Sequence, residues 1–314
     1  MKSEIKIFYS KDWSLDPARD KAGYELLDTG DGEKLERFGK YTFVRPYEAA
    51  AWKKSLSEGQ WSKADGRFIT SKEAARSGWK IKNKIEKKWE MSYKGVKFFA
   101  TPTSFRHLSF FPEQAVHWDF IEEKIIERQD VRRQKSPDVG RLQSLKFLNL
   151  FGYTGVASLF ALRAGAEVTH VDASKLSITQ AKENQKLNTE LAEAPMRVIV
   201  DDVIKFLERE IKRGNKYDAV VMDPPKFGRG PKGEIWKLEE NLPKLLSMVR
   251  KVLSDKPLFV ILNSYAVDSS SLSLGYALED AMKGLKGEVS SGELCLLEKS
   301  NKRTIPLSNT AIFC

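Results

Sequence analysis

Three features of this 314-residue sequence predict an open α/β sheet preceded by a smaller β-rich α+β domain. The first is a series of strand-length runs that end in acids. Glu167 to Val171 ends at Asp172, Arg197 to Val200 at Asp201 and Asp202, and Ala219 to Met222 at Asp223. Short, largely apolar runs are how strands buried on both faces of a parallel sheet read. The second is the turn Gly152-Tyr153-Thr154-Gly155, set between an apolar run and a helical pattern. The third is Asp223-Pro224-Pro225. Two prolines cannot donate ladder hydrogen bonds, so they stop a strand and stiffen the turn that follows it.

In chain order, residues 1–102 read as the β-rich domain, expected to be the substrate-binding part. Tyr24 to Leu27 and Tyr41 to Val44 are expected as strands around the Gly30-Asp31-Gly32 turn. Ser55 to Ser77 is polar and is expected to be loop with a helical turn. Trp89 to Tyr93 and Val96 to Thr101 form a hairpin around Lys94-Gly95. Residues 103–140 form a bridge. It holds Phe110-Phe111-Pro112-Glu113-Gln114, then a helix carrying Val116, Phe120, Ile121, Ile125 and Ile126. Arg128 to Arg141, with Pro137 and Gly140, reads as an exposed connection.

Residues 141–314 carry the alternating pattern. Lys146 to Phe151 is a strand, and the helix VASLFALRAGA presents Leu159, Phe160 and Leu162 before stopping at Gly165. A helix follows Asp202. Leu238 to Leu253 is a helix, Leu258 to Leu262 a strand and Leu272 to Leu285 a helix. Glu288 to Lys299 and Thr304 to Cys314 are expected as closing antiparallel strands.

Strand, glycine turn, helix, strand and acid make the layout of a nucleoside-binding α/β domain. Glycine allows a ligand near the backbone, and the helix amino terminus offers N–H groups. Asp172 stands where a carboxylate accepts from a ribose diol. A dinucleotide would need G-x-G-x-x-G. Here only Gly152-x-x-Gly155 is present, with bulky Phe151 and Tyr153, so a nucleoside without a pyrophosphate fits better. Asp201 or Asp202 suits either an adenine amine or the cap of the next helix. The lip from Asp223 to Phe227 presents a carboxylate, two carbonyls, a lysine and an aromatic ring to a planar group. Lys226 could contact a base carbonyl or a phosphate, or stand as a solvated surface lysine. Asn263, Ser264 and Tyr265 form a second polar edge.

NLFGYTG, VDAS, AKENQ, DDVIKF and DPPKFGRG, in that order, resemble the class I S-adenosylmethionine-dependent methyltransferases. More closely, they are similar to bacterial 23S rRNA methyltransferases acting on cytosine C5 or guanine N7. The likeness extends to YELLDTGDGEKLERFG and HLSFFPEQAVHW. It implies a Rossmann-like domain, a mixed seven-stranded sheet flanked by helices, with S-adenosyl-L-methionine as cofactor and RNA as partner. It implies cofactor contacts from Asn149, Phe151, Gly152, Tyr153, Thr154, Gly155, Asp172, Ala173, Ser174, Asn184, Asp201, Asp202 and Val203, with Phe111 and Gln114 beside the pocket. It implies an acceptor site at Asp223, Pro224, Pro225, Lys226 and Phe227. Cytosine C5 needs a thiolate at C6 before it can accept a methyl group. Neither the lip nor Leu262-Asn263-Ser264-Tyr265 supplies a cysteine, so a purine acceptor is expected. The alternatives are a protein or small-molecule methyltransferase, and a non-catalytic RNA-binding protein on the same fold. The chain ends inside an apolar strand pattern, where the resemblance implies a slightly longer chain, so either a clipped or a naturally shorter carboxyl terminus is expected.

Composition narrows the rest. Cys295 and Cys314 are the only cysteines, which excludes a disulfide framework and a cysteine-rich zinc site. His107, His117 and His170 lack metal-ligand spacing, and His170 reads as structural. No run reaches membrane-span length and the start lacks a signal-like core, so a cytoplasmic, metal-free protein is expected. The net charge of +10 favours polyanionic partners. Between Trp61 and Lys97, eleven Lys or Arg face four Asp or Glu, interleaved with Trp61, Phe68, Trp79, Trp89 and Tyr93. That mixture reads either as an RNA surface or as a lysine face over aromatic core.

Overall fold

The computed structural model describes residues 4–11, 13, 23–71, 73, 76–135, 144–265 and 270–314. Two compact units divide the chain. One holds Met1–Phe8, Val116–Leu294 and Leu307–Cys314; the other holds Tyr9–Ala115 and Cys295–Pro306. This division differs from boundaries at residues 102 and 140. The helix read as a bridge is almost wholly part of the first unit. A short piece of the carboxyl-terminal hairpin belongs to the second.

The chain opens on β1 (Ile5–Phe8). The second unit then follows with β2 (Tyr24–Gly30), β3 (Glu33–Phe38), β4 (Tyr41–Pro46), α1 (Glu58–Trp61), β5 (Gly66–Ile69), β6 (Gly78–Ile81), β7 (Trp89–Tyr93) and β8 (Val96–Ala100). Strands β2 to β6 form one sheet in sequence order, and β7 pairs with β8. Lys94 and Gly95 both take positive φ, 46° and 84°, as the tight turn of the β7–β8 hairpin requires. Three strands of this unit, β3, β5 and β6, lie where none was expected. β3 escapes detection because Lys34 and Glu36 are buried charges, and β5 falls inside the stretch read as loop.

The core of this unit is aromatic, with Phe110 in edge contact with both Phe38 and Phe98. Trp61, Phe68, Trp89 and Tyr93 are buried as well. The lysines of the basic segment therefore lie over an aromatic core, and those four rings are not available for stacking on bases. Inside lies an ion-paired centre. Arg45 donates to Glu36 Oε2 from Nε and to Oε1 from Nη2, each at 2.6 Å, and the Tyr24 hydroxyl donates to Oε1 at 2.7 Å. Burial would raise the Glu36 carboxyl, but Arg45 and Lys34 outweigh it and hold the group at about 2.

The first unit is built from α2 (Ala115–Lys135), β9 (Lys146–Leu150), α3 (Val156–Arg163), β10 (Glu167–Asp172), α4 (Lys175–Leu187), β11 (Met196–Val200), α5 (Val203–Lys212) and β12 (Ala219–Met222). The short strands β13 (Phe227–Arg229) and β14 (Ile235–Lys237) follow, then α6 (Leu238–Val252), β15 (Phe259–Ser264), α7 (Ser271–Ala281), β16 (Val289–Leu297) and β17 (Thr304–Phe313). The sheet order is β1-β16-β17-β15-β12-β9-β10-β11. From β15 to β11 neighbours run parallel, and β17 is antiparallel to β15. The seven expected strands are present, and β1 adds an eighth at the edge, parallel to β16.

Leu148, Val220, Met222, Val260 and Leu262 pack beneath Phe206, Leu246, Val249 and Leu278, which buries the apolar stripes of α5, α6 and α7. Helix α2 continues through Lys135, eight residues into the segment read as a connection. Its outer turns are charged because they face solvent. Pro137 and Gly140 lie outside the described residues. The chain leaves β9 in one direction through β10 and β11, and in the other through β12 and β15. The order reverses between β9 and β12. At such a switch point the strand ends open a crevice where ligands bind.

Candidate active site

The glycine turn leaves β9 toward α3. Phe151, Tyr153 and Gly155 all have left-handed φ, 57°, 50° and 83°. For the two non-glycine residues this costs about 1–3 kcal/mol each, so other bonds must hold the loop. Gly152 N donates to Val171 O at 3.0 Å and Gly155 N to Gly152 O at 3.0 Å. From α4, the buried Asn184 amide donates to Thr154 O at 2.8 Å. Asn184 is thus a buried tie for the loop.

Glycine is required at 152 for a reason the sequence does not display. A Cβ there would stand 2.3 Å from His170 Cε1. At 155 a Cβ would stand 3.0 Å from Ala181 Cβ on α4. Beneath the loop, the Asn149 amide donates to Ser158 Oγ at 3.0 Å, and Ser158 Oγ lies 3.0 Å from His170 Nδ1. Burial pushes His170 down to about 4, so the ring is neutral near pH 7. Asn149 and Thr154 are buried.

Asp172 ends β10, where its Oδ2 accepts from Tyr153 N at 2.9 Å and its Oδ1 from Ser174 N at 2.8 Å. Burial raises this carboxyl above the usual range, against the pull of those two N–H groups. Each carboxylate oxygen keeps a further acceptor position. Ser174 caps α4 through Ser177 N at 3.2 Å, with Ala173 between cap and acid. At the end of β11, Asp201 is ion-paired with Arg209. Asp202 Oδ1 caps α5 by accepting from Lys205 N at 3.0 Å, which leaves Oδ2 outside that cap. Val203 is buried in the core. Phe111 and Gln114 belong to the other compact unit, where the Phe111 ring lies 4.9 Å from that of His107.

Across the switch point, Asp223 follows β12. Its Oδ1 accepts from the Asn263 amide on β15 at 3.1 Å, and Asn263 Oδ1 accepts from Ser308 Oγ on β17 at 3.2 Å. Asn263 and Ser264 are buried, Tyr265 half-buried. The second of the two lip carbonyls is taken, since Trp236 Nε1 donates to Pro225 O at 2.6 Å. Pro224 is buried, and Phe227 stands in solvent. Lys226 Nζ lies 5.8 Å from the Phe227 ring, and its carbonyl accepts from Leu238 N at 3.0 Å. Ser308 and Trp236 gave no signal in the sequence, because their partners are 45 and 11 residues away and belong to other elements. Among the described residues no group of three or more His, Cys, Asp or Glu could hold a metal, and no helix is long and apolar enough to cross a membrane.

A parallel sheet with its switch point between a glycine turn backed by an acid and an Asp-Pro-Pro lip defines the class I methyltransferase architecture. The relationship is closer than architecture. A solved S-adenosylmethionine-dependent methyltransferase from Agrobacterium tumefaciens is 40% identical. It aligns over 98% of this chain and 93% of its own, with a TM-score of 0.85. The chain therefore belongs to the S-adenosylmethionine-dependent methyltransferases. The family described as Conserved hypothetical protein 95 matches residues 133–252. A ribosomal RNA large subunit methyltransferase I from Aeromonas salmonicida is 39% identical over 98 residues, 31% of this chain and 24% of that protein. A ribosomal RNA large subunit methyltransferase K from Neisseria meningitidis is 32% identical over 143 residues, 44% of this chain and 40% of that protein. The chain thus spans less than half the length of these two curated relatives.

Proposed function

We propose that this chain transfers a methyl group from S-adenosylmethionine to a purine base of RNA, with 23S rRNA in the cytoplasm as substrate. No cysteine nucleophile takes part. The observation that carries the chemistry is Asp223, a carboxylate fixed at one oxygen by Asn263 beside the switch point. The curated relatives, both named for large-subunit ribosomal RNA, support the substrate. The cofactor supplies a methyl group on a sulfonium, ready for in-line displacement.

In this reading Asp172 offers its remaining acceptor positions to the ribose diol, and Asp202 Oδ2 accepts from the adenine amine. The glycine turn shapes the methionine side. Asp223 Oδ2 and the Pro224 carbonyl hold an acceptor amine, and the Phe227 ring stacks on the base. Fixing the acceptor against the methyl carbon can supply about 7–11 kcal/mol of the barrier. Exposed Lys80, Lys82, Lys84, Lys87 and Lys88 of the second unit meet RNA phosphates. Cys295 is buried on β16, and the lip's hydrogen-bonding partner on β15 is an asparagine.

The test uses purified protein, rRNA and isotopically labelled cofactor, followed by digestion to nucleosides. A methylated purine is expected, with the Cys295→Ser variant active. Labelled 5-methylcytosine together with a dead Cys295→Ser variant overturns the cysteine-free chemistry. Transfer to protein or a small molecule but never to RNA overturns the substrate.

A further inference from the structure

The β13–β14 hairpin follows the lip directly. Its register pairs Phe227 with Lys237, Gly228 with Trp236 and Arg229 with Ile235. Side chains alternate across a pleat, so Gly228 and Trp236 share one face while Phe227, Arg229, Ile235 and Lys237 share the other. The first face is anchored. Trp236 is buried, bonds the Pro225 carbonyl, and packs its ring 4.9 Å from that of Phe151 in the glycine turn. The other face is open, with Phe227 64% and Ile235 71% exposed and both cations in solvent. A cleft of about 330 Å³ lies against the hairpin.

Two exposed apolar side chains, each directly opposite a cation, suit a nucleotide. The Phe227 ring can stack on a base, the Ile235 side chain can pack against a ribose or base face, and the cations take phosphate. The one acid of the hairpin does not oppose this. Lys205 pairs with Glu234 at 2.5 Å and holds its carboxyl at about 2, and Lys232 N donates to its other oxygen at 2.9 Å. The exposed pair of Lys237 with Glu240, at 2.7 Å, is of the weak kind that a phosphate can displace.

We infer that the open face of this hairpin seats the nucleotide next to the acceptor in a single-stranded stretch of RNA. Arg229 and Lys237 hold its flanking phosphates, and Ile235 extends the apolar platform begun by Phe227. The inference rests on the RNA reading above. It requires a single strand because an acceptor base must leave its stack to reach the lip.

The test compares wild type, the Arg229→Ala/Lys237→Ala double variant and Ile235→Ala, titrated with a short single-stranded RNA between about 50 and 200 mM salt. The double variant should bind about ten-fold more weakly, with a log–log salt slope shallower by about 1.4, or 0.7 for each of two phosphates. Ile235→Ala should bind more weakly with the slope unchanged. Cofactor titration should be the same for all three, which also shows that they fold. If wild type binds RNA and the double variant matches it in affinity and slope, the hairpin assignment fails and the RNA reading stands. If wild type neither binds nor methylates RNA, both fall.

Discussion

Asp172 ends one buried parallel strand and Asp223 directly follows another, and each is already partly committed to the protein. Both oxygens of Asp172 hold backbone N–H groups of the turns around it. In its proposed role it adds charge-assisted bonds to the ribose, so Asp172→Ala should weaken cofactor binding by about 1.5–3 kcal/mol, ten- to a hundred-fold. Titration calorimetry checks this, and a variant that binds as tightly as wild type removes Asp172 from the site. At the lip, Asp223→Ala should lower turnover by about two to four orders of magnitude. Asn263→Ala keeps the Asp223 charge but removes the hydrogen bond to its Oδ1, so its loss should be smaller, with cofactor affinity retained. An Asn263→Ala enzyme as dead as Asp223→Ala would give the asparagine a direct role. These acids were legible in the sequence because a carboxylate directly after a buried apolar run must stand where the strand leaves the sheet and meets water. Asn263's hold on Asp223 was not, since strand pairing brings together residues 40 apart.

The glycine turn is held together as an element by its own bonds and close contacts. Gly152 makes room for His170, and the loop then bonds to β10 and α4. Gly152→Ala should therefore cost about 1–3 kcal/mol of stability through overpacking, and distinctly less in a His170→Ala background. Urea unfolding of the two single variants and the double variant measures the difference. An equal cost in both backgrounds would mean that the ring is not the obstacle. The regular elements around the turn were readable because strands buried on both faces are short and apolar throughout. Readability failed where that rule failed. EKLERF is a strand whose inward charges are satisfied by Arg45 and by one another, so its alternation carries the wrong polarity. The three-residue strands β13 and β14 are too short to show any period, and their anchoring tryptophan looks like a lone aromatic in a polar run.

At the scale of the whole molecule, charge was legible and its use was not. The sequence interleaves lysines with aromatics between Trp61 and Lys97, but only the lysines reach solvent in number. RNA affinity should then depend on cations alone in that unit. Reversing Lys84, Lys87 and Lys88 to Glu should weaken binding across sequences and flatten the salt dependence, while cofactor titration stays unchanged. Binding that ignores the triple variant would make the segment a solvated face. Acid stability draws on both units. Burial lowers His107 and His117 to about 3 and His170 to about 4, from an ordinary value of 6.5. A histidine held neutral when folded takes up its proton on unfolding, so stability falls as pH drops below about 6.5. Near pH 5 the unfolded chain should hold nearly three more protons on these rings than the native one, a slope of about 4 kcal/mol per pH unit. Glu36 adds to the loss only lower down. Its depressed carboxyl contributes fully above its ordinary 4.5, and that contribution disappears as pH falls toward about 2. Urea midpoints measured from pH 7 to pH 5 should therefore drop steeply before the loss from Glu36 sets in. A flat profile over that range would show that the three rings take up protons in the native protein as readily as in the unfolded chain, and that the buried histidine under Gly152 is not the neutral strut its surroundings require.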